Sequence, residues 1–185
     1  MKILFANKWL ELVESGKWFF ARRPAGTKNV IVVAVTDDEQ LVMVEQHREA
    51  VGGNVIELPA GIVDPGEEVL VAARRELMEE TGYSAEEVLL AGTFVTSPGI
   101  TDEKAHVVIA MGIKQKGDGG GKLEEGESIV IHRIPVRDVF PWLDAHIAAG
   151  THVSATIYSS VALMAWRTQS ILNEKLRTFV GSDDE

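Results

Sequence analysis

No cysteine occurs among the 185 residues, so disulfides, thiolate metal sites and a cysteine nucleophile are all excluded. Positive charge is also short. Against 28 acidic residues there are 18 basic ones, a net charge of −10, which is the wrong sign for a nucleic-acid backbone or an anionic membrane. Long hydrophobic runs are missing, and the longest, such as Val30 to Val35, fall well short of a membrane span. The opening stretch MKILFANKWLELVESGKWFF carries Glu11 and Glu14 and no small-residue cleavage site, so it does not read as a signal peptide. His47, His106, His132, His146 and His152 are scattered without metal-ligand spacing. The expectation is a soluble, cytoplasmic protein with neither nucleic acid nor membrane among its partners.

What is present is the balance of an ordinary globular chain, 45% hydrophobic and 25% charged, long enough for one domain with an extension. Its most informative stretch is GIVDPGEEVLVAARRELMEETGY, residues 61–83. The turn Asp64-Pro65-Gly66 opens it, a helix is predicted from Glu67 to Thr81, and Gly82 stands where a left-handed C-cap belongs. Glu76, Glu79 and Glu80 sit at i, i+3 and i+4, which puts three carboxylates on one face. Leu70, Ala73 and Leu77 recur on another face, which can bury. Arg74 and Arg75 cannot neutralise all the glutamates once Glu67 and Glu68 are included. Two readings follow: a solvated acidic face, or a site for a hard divalent cation such as magnesium, which is typically shared between carboxylates and substrate phosphates.

The spacing of the whole stretch resembles the Nudix box: a glycine, five residues, a glutamate, seven residues, then Arg-Glu-apolar-x-Glu-Glu-x-Gly-apolar. Gly61, Glu67, Arg75, Glu76, Leu77, Glu79, Glu80, Gly82 and Tyr83 fill every specified position. The resemblance implies a Nudix hydrolase, which cleaves nucleoside diphosphates linked to another moiety, with Mg2+ or alternatively Mn2+ as cofactor. It implies Glu76 and Glu80 as principal metal ligands, with Glu79, Glu67 and the Ala60 carbonyl in support, and a structural Arg75 that holds Glu67 or a neighbouring glutamate.

Three features outside the box are similar to the ADP-ribose pyrophosphatase-like subfamily: Glu57-Leu58-Pro59-Ala60-Gly61, Pro98-Gly99 beyond the helix, and Glu45-Gln46-His47-Arg48. They imply Arg48 as a phosphate-binding residue, suited by its planar fork, and Pro98 and Gly99 as substrate-binding. Arg22 and Arg23 are further candidates for phosphate or ribose, and Trp18 or Phe19 for an adenine ring. A general base is expected from the late acidic loop, where Glu125 aligns with the family position, Glu127 is the alternative and Glu79 a further catalytic candidate. The implied reaction is hydrolysis of ADP-ribose to AMP and ribose 5-phosphate. The alternatives are another nucleoside diphosphate sugar, such as GDP-mannose, and a non-catalytic nucleotide-sugar-sensing module.

Along the chain, residues 1–27 read as a β extension with a hairpin at Glu14-Ser15-Gly16-Lys17, and residues 28–180 as the main domain. Strands are predicted at 30–35, 41–46, 55–58, 88–96, 105–113 and 128–134, with helices at 136–149 and 155–178. Pro59 is read as ending its strand and Gly61 as permitting a sharp turn. Residues 114–127 are read as a long glycine-rich loop. Strands interleaved with helices imply an α/β architecture on a mixed sheet, in agreement with the Nudix fold, a helix–mixed sheet–helix sandwich. In similar ADP-sugar hydrolases an N-terminal sheet joins two subunits, so the resemblance also implies a homodimer.

Overall fold

In the computed structural model, which describes residues 1–24, 27–116 and 128–180 and side chains as far as 170, the chain opens with an antiparallel meander. Its strands are β1 (Lys2–Ala6), β2 (Glu11–Ser15) and β3 (Trp18–Arg22). The Asn7 side chain ties the first turn by accepting the Trp9 and Leu10 N–H groups, both at 2.8 Å, and Gly16 takes the positive φ of the second. The extension is docked at one end: the Ala21 N–H donates to the Ile100 carbonyl at 2.8 Å. Val13 is fully buried, yet Phe5, Trp18 and Phe19 stay more than half exposed at 55%, 68% and 55%. Packing on its own chain therefore covers only part of this sheet.

The main sheet follows. It comprises β4 (Lys28–Thr36), β5 (Gln40–Arg48), β6 (Gly53–Glu57), β7 (Ala60–Val63), β8 (Tyr83–Ser84), β9 (Val88–Val95), β10 (Lys104–Gln115), β11 (Ile129–Pro135) and β12 (His152–Val153). Between β7 and β8 lies helix α1 (Val69–Thr81). A 3₁₀ turn (Val136–Asp138) leads into α2 (Val139–Ala148), and α3 (Ala155–Val180) closes the chain. β4–β10 and β6–β12 pair parallel and the remaining pairs antiparallel, so the sheet is mixed.

β4 is buried on both faces, as its continuous valine and isoleucine run requires. Val30, Val32 and Ala34 face one core with Ala72, Ala73 and Leu77 of α1. Ile31, Val33 and Val35 face the other with Leu143 of α2 and Ile157, Val161 and Met164 of α3. Period-two alternation on a central strand thus builds the helix–sheet–helix sandwich that the sequence implied. Gly82 caps α1 at φ 72° and donates its N–H to the Met78 carbonyl, as expected.

Two details differ from the sequence reading, and a third goes beyond it. The helix starts at Val69 rather than Glu67, because Glu67 belongs to the preceding turn: its N–H donates to the Asp64 carbonyl and its carboxylate accepts the Asp64 N–H. Lys114 and Gln115 belong to β10 rather than to the loop, paired with β8. Pro59 follows the end of its strand as read, since β6 stops at Glu57, but the sheet does not end there. The Pro59 carbonyl accepts the Val32 N–H at 2.8 Å, and the chain runs on as β7. Proline removes a donor but keeps its acceptor.

That last detail creates the site. One edge of β4 pairs first with β7, over 28–31, and then with β5, over 34–35. β5 in turn leaves β4 after Val42 and pairs with β6. The sheet forks there, and Leu58-Pro59 crosses the fork from β6 to β7.

Candidate active site

A cavity of about 650 Å³ occupies the fork. Glu76, Glu79 and Glu80 of α1 line it from one face of the sheet; Ser154 and Thr156, at the start of α3, line it from the other. Between them stand Gln46 and Arg48 of β5, Glu57 of β6, and Ala60, Gly61 and Ile62 of β7. The far rim carries Asn29, Glu103, Arg23 and Trp9, the last two from the N-terminal extension. The volume lies within the range of small-molecule sites, roughly 300–1,000 Å³.

Arg75 organises the acidic wall. Its Nε and Nη2 donate to the two oxygens of Glu67 at 3.1 and 2.9 Å, a fork-to-fork pair. Its Nη1 donates to Glu76 and to Glu79, both at 2.9 Å, and its Nη2 also reaches the Ile62 carbonyl at 2.9 Å. The structural role implied for Arg75 is therefore visible in its bonds. Arg74 turns away from this wall and donates to the carbonyls of Leu70, Ala85 and Glu86. Glu80 accepts the Ala60 N–H at 3.0 Å, which ties α1 to β7.

The same network sets the protonation equilibria. The Arg75 fork holds the Glu67 carboxyl below the usual carboxylate range. Glu76 shifts the other way: burial raises its pKa, and Arg75 offsets only part of that. Arg75 itself is held more firmly protonated, first by Glu67. A largely buried carboxylate with incomplete compensation is a group that a cation would stabilise.

Residues 26–149 match the Nudix domain, two thirds of the chain. The chain belongs to the Nudix family. Among its relatives are a methanol dehydrogenase activator of Bacillus methanolicus, 37% identical over 62% of this chain and 61% of the relative. An ADP-ribose pyrophosphatase of Bacillus subtilis is 35% identical over 63% and 62%. A mouse ADP-sugar pyrophosphatase is 33% identical over 65% of this chain and 57% of its own length. These matches span about three fifths of each relative. A solved ADP compounds hydrolase superposes with a TM-score of 0.70 at 20% identity, covering 91% of each chain, a likeness of fold.

In this Nudix domain Gly61 has a role other than the turn read from sequence. It lies within β7 at an ordinary φ, and a Cβ built on it would stand 2.1 Å from the Glu76 carboxylate. The glycine makes room for Glu76. Among the described residues no three carboxylates or imidazoles form a ready cation cage. Magnesium needs no such cage, since it usually keeps several waters and takes one or two carboxylates plus substrate phosphates. The all-oxygen donor set of Glu76, Glu79, Glu80 and the Ala60 carbonyl, with Glu76 cradled on Gly61, fits that requirement.

The fold brings Arg48, Arg23, Ala60, Glu76, Glu79 and Glu80 to one cavity, with Glu67 bound to it through Arg75. Pro98 and Gly99 do not line it; they sit in the exposed turn where the Ser97 carbonyl accepts the Ile100 and Thr101 N–H groups. Arg22 pairs with Glu11 inside the extension. Trp18 and Phe19 lie outside the cavity lining, on the exposed sheet. Glu125 and Glu127 lie outside the described residues. Sequence reasoning missed Trp9, Asn29 and Glu103. Glu103 accepts from Arg23 Nε at 3.0 Å and from Asn29 Nδ2 at 3.4 Å, three segments brought together only by the fold. Among the described residues no helix is long and apolar enough to cross a membrane.

Proposed function

We propose that this chain is a divalent-cation-dependent pyrophosphatase for nucleoside diphosphate sugars, with ADP-ribose the leading substrate and AMP and ribose 5-phosphate the products. One observation carries the reading: a three-carboxylate helix face and two arginines, each anchored by a glutamate, share a single cavity with an indole ring. Glu76 and Glu80 would hold the principal Mg2+ or Mn2+, with Glu79 and the Ala60 carbonyl in support. Glu67 serves mainly through Arg75. When bound, the metal lowers the pKa of an attacking water and neutralises charge on the phosphoryl oxygens.

The chain's own groups do the rest. Arg48 and Arg23 supply fork donors for the diphosphate. Trp9 offers a ring face to a nucleobase. Glu125, with Glu127 as the alternative, is proposed as general base, since glutamates that hold metal make poor bases. The names of the Bacillus subtilis and mouse relatives support ADP-ribose and other ADP-sugars as the substrate class. The exposed Phe5, Trp18 and Phe19 support a homodimer through the N-terminal sheet, and the charge of −10 with no cysteine supports a cytoplasmic setting.

A second reading, a nucleotide-sugar sensor acting on a partner protein, takes support from the Bacillus methanolicus relative, whose name is that of an activator. The complete set Glu67, Glu76, Glu79 and Glu80 weighs against it, because a sensor loses nothing by losing these ligands. Product analysis decides. Incubation with ADP-ribose and Mg2+ should yield AMP and ribose 5-phosphate in equal amounts, resolved by phosphorus NMR. Intact ADP-ribose that nevertheless binds the protein would support the sensor.

A further inference from the structure

We infer that Glu57 is a positioning residue for Arg48: it draws the guanidinium back along the sheet into the cavity and fixes the donors that meet substrate phosphate. The inference rests on the pyrophosphatase reading above. Arg48 is the last residue of β5 and stands opposite Gly53, whereas Glu57 stands opposite Val44. Side chains at 44, 46 and 48 share one face, and the partner of Val44 lies on that face too. The two Cα positions along the strand are separated by about 13 Å at a rise near 3.3 Å per residue. Only an arginine folded back along its own strand meets a glutamate so placed. It does so tightly: Nε donates to a Glu57 oxygen at 2.7 Å, and Nη2 stands 2.6 Å from the same oxygen in an ion pair.

The position of this pair is what needs explaining. Both residues line the cavity, as does Gln46, which stands on β5 between Arg48 and Val44, the residue opposite Glu57. Gly53, directly opposite Arg48, has no side chain to hold it, so without Glu57 the arginine at the strand end is free to extend into water. Glu57 also carries a cost. It adds another carboxylate to a wall that already holds Asp64, Glu76, Glu79, Glu80 and Glu103, and so repels an incoming diphosphate. Its presence makes sense where the ordering of Arg48 outweighs that repulsion. Guanidinium carries five N–H donors in a rigid fork, and Glu57 occupies one edge of it. The Nη1 edge keeps its donors for a phosphate, already oriented, which lowers the ordering cost of binding.

These two effects of one carboxylate have opposite signs, so the experiment reads out which dominates. KM and kcat for ADP-ribose are measured at saturating Mg2+ for wild type, Glu57→Gln, Arg48→Ala and the double variant, with thermal melts and Mn2+ binding alongside. Positioning predicts that Glu57→Gln raises KM by about tenfold with a smaller change in kcat, but by less than about twofold when Arg48 is already alanine. Mn2+ affinity should stay at the wild-type level. A fall in KM, or an equal rise in both backgrounds, would overturn the inference. Should Glu57→Gln not fold, Arg48→Lys serves: it keeps the charge but loses the fork, so KM should rise towards that of Arg48→Ala, and a wild-type KM would overturn the inference. Absence of turnover by the wild type would count against the pyrophosphatase reading alone; the same cycle read on ADP-ribose binding by calorimetry still tests the coupling.

Discussion

Replacing Gly61 with alanine should separate catalysis from stability. The new methyl group would stand 2.1 Å from the Glu76 carboxylate, where ordinary contact needs 3.4 Å or more. The carboxylate must therefore move by roughly 1 Å at least. The backbone itself has no objection, since Gly61 lies in β7 and is not among the positive-φ glycines. Moving Glu76 off its rotamer costs about 0.5–1.5 kcal/mol. Alanine returns about 0.4–1 kcal/mol by restricting the unfolded chain. The net change in stability should stay within about 1 kcal/mol by these two estimates. Turnover should suffer far more, because a 1 Å misplacement of a catalytic constellation can cost about 10²-fold. Urea denaturation, Mn2+ affinity and kcat on ADP-ribose measure all three quantities. A variant that keeps wild-type turnover and metal affinity would refute the placement of Glu76 as a ligand. A loss of several kcal/mol would show instead that Gly61 serves the strand.

Three further outcomes follow from the same geometry. Glu76→Gln and Glu80→Gln should each lower kcat by several orders of magnitude while circular dichroism and the melting transition report a folded protein; near-normal activity in both would remove the metal assignment. Metal affinity should weaken on acidification, starting above the usual carboxylate range, because the raised pKa of Glu76 lets protons compete there. The stability signs run in opposite directions. The lowered pKa of Glu67 contributes stability at neutral pH that is lost as pH falls through its folded value, whereas Glu76, raised, favours the fold once protonated and opposes it once ionised. Mn2+ titrations between neutral and mildly acidic pH check this, and a flat affinity would contradict it. Trp18→Asp with Phe19→Asp should convert the proposed dimer to monomer in light scattering at unchanged secondary structure, and a variant that stays dimeric would move the interface elsewhere.

Much of this molecule is legible in the chain because its strongest signals are local. The acidic helix, its Gly82 cap and the Asp64-Pro65-Gly66 turn depend on neighbours a few residues away, and all three occur, the helix starting two residues later than its spacing suggests. The β4 and β5 hairpin and the β9 and β10 pair are equally local. Short strands defeated the reading. β7, β8 and β12 are four residues or fewer and exist only because a neighbour supplies their partners. Gly61 was misread for a related reason: glycine signals a turn from its own conformational freedom, whereas here its lack of a Cβ answers to a carboxylate on another element. The rim formed by Trp9, Asn29 and Glu103 joins three distant segments, and no spacing rule in one chain connects them.

The most direct test is release of phosphate ester from a panel of ADP-ribose, ADP-glucose, GDP-mannose, UDP-glucose and NADH, each with Mg2+ and with EDTA. The account predicts AMP from ADP-ribose well above the other compounds, abolished by EDTA and restored by added Mg2+. Turnover that persists in EDTA, or none from any compound with Mg2+ present, would contradict it.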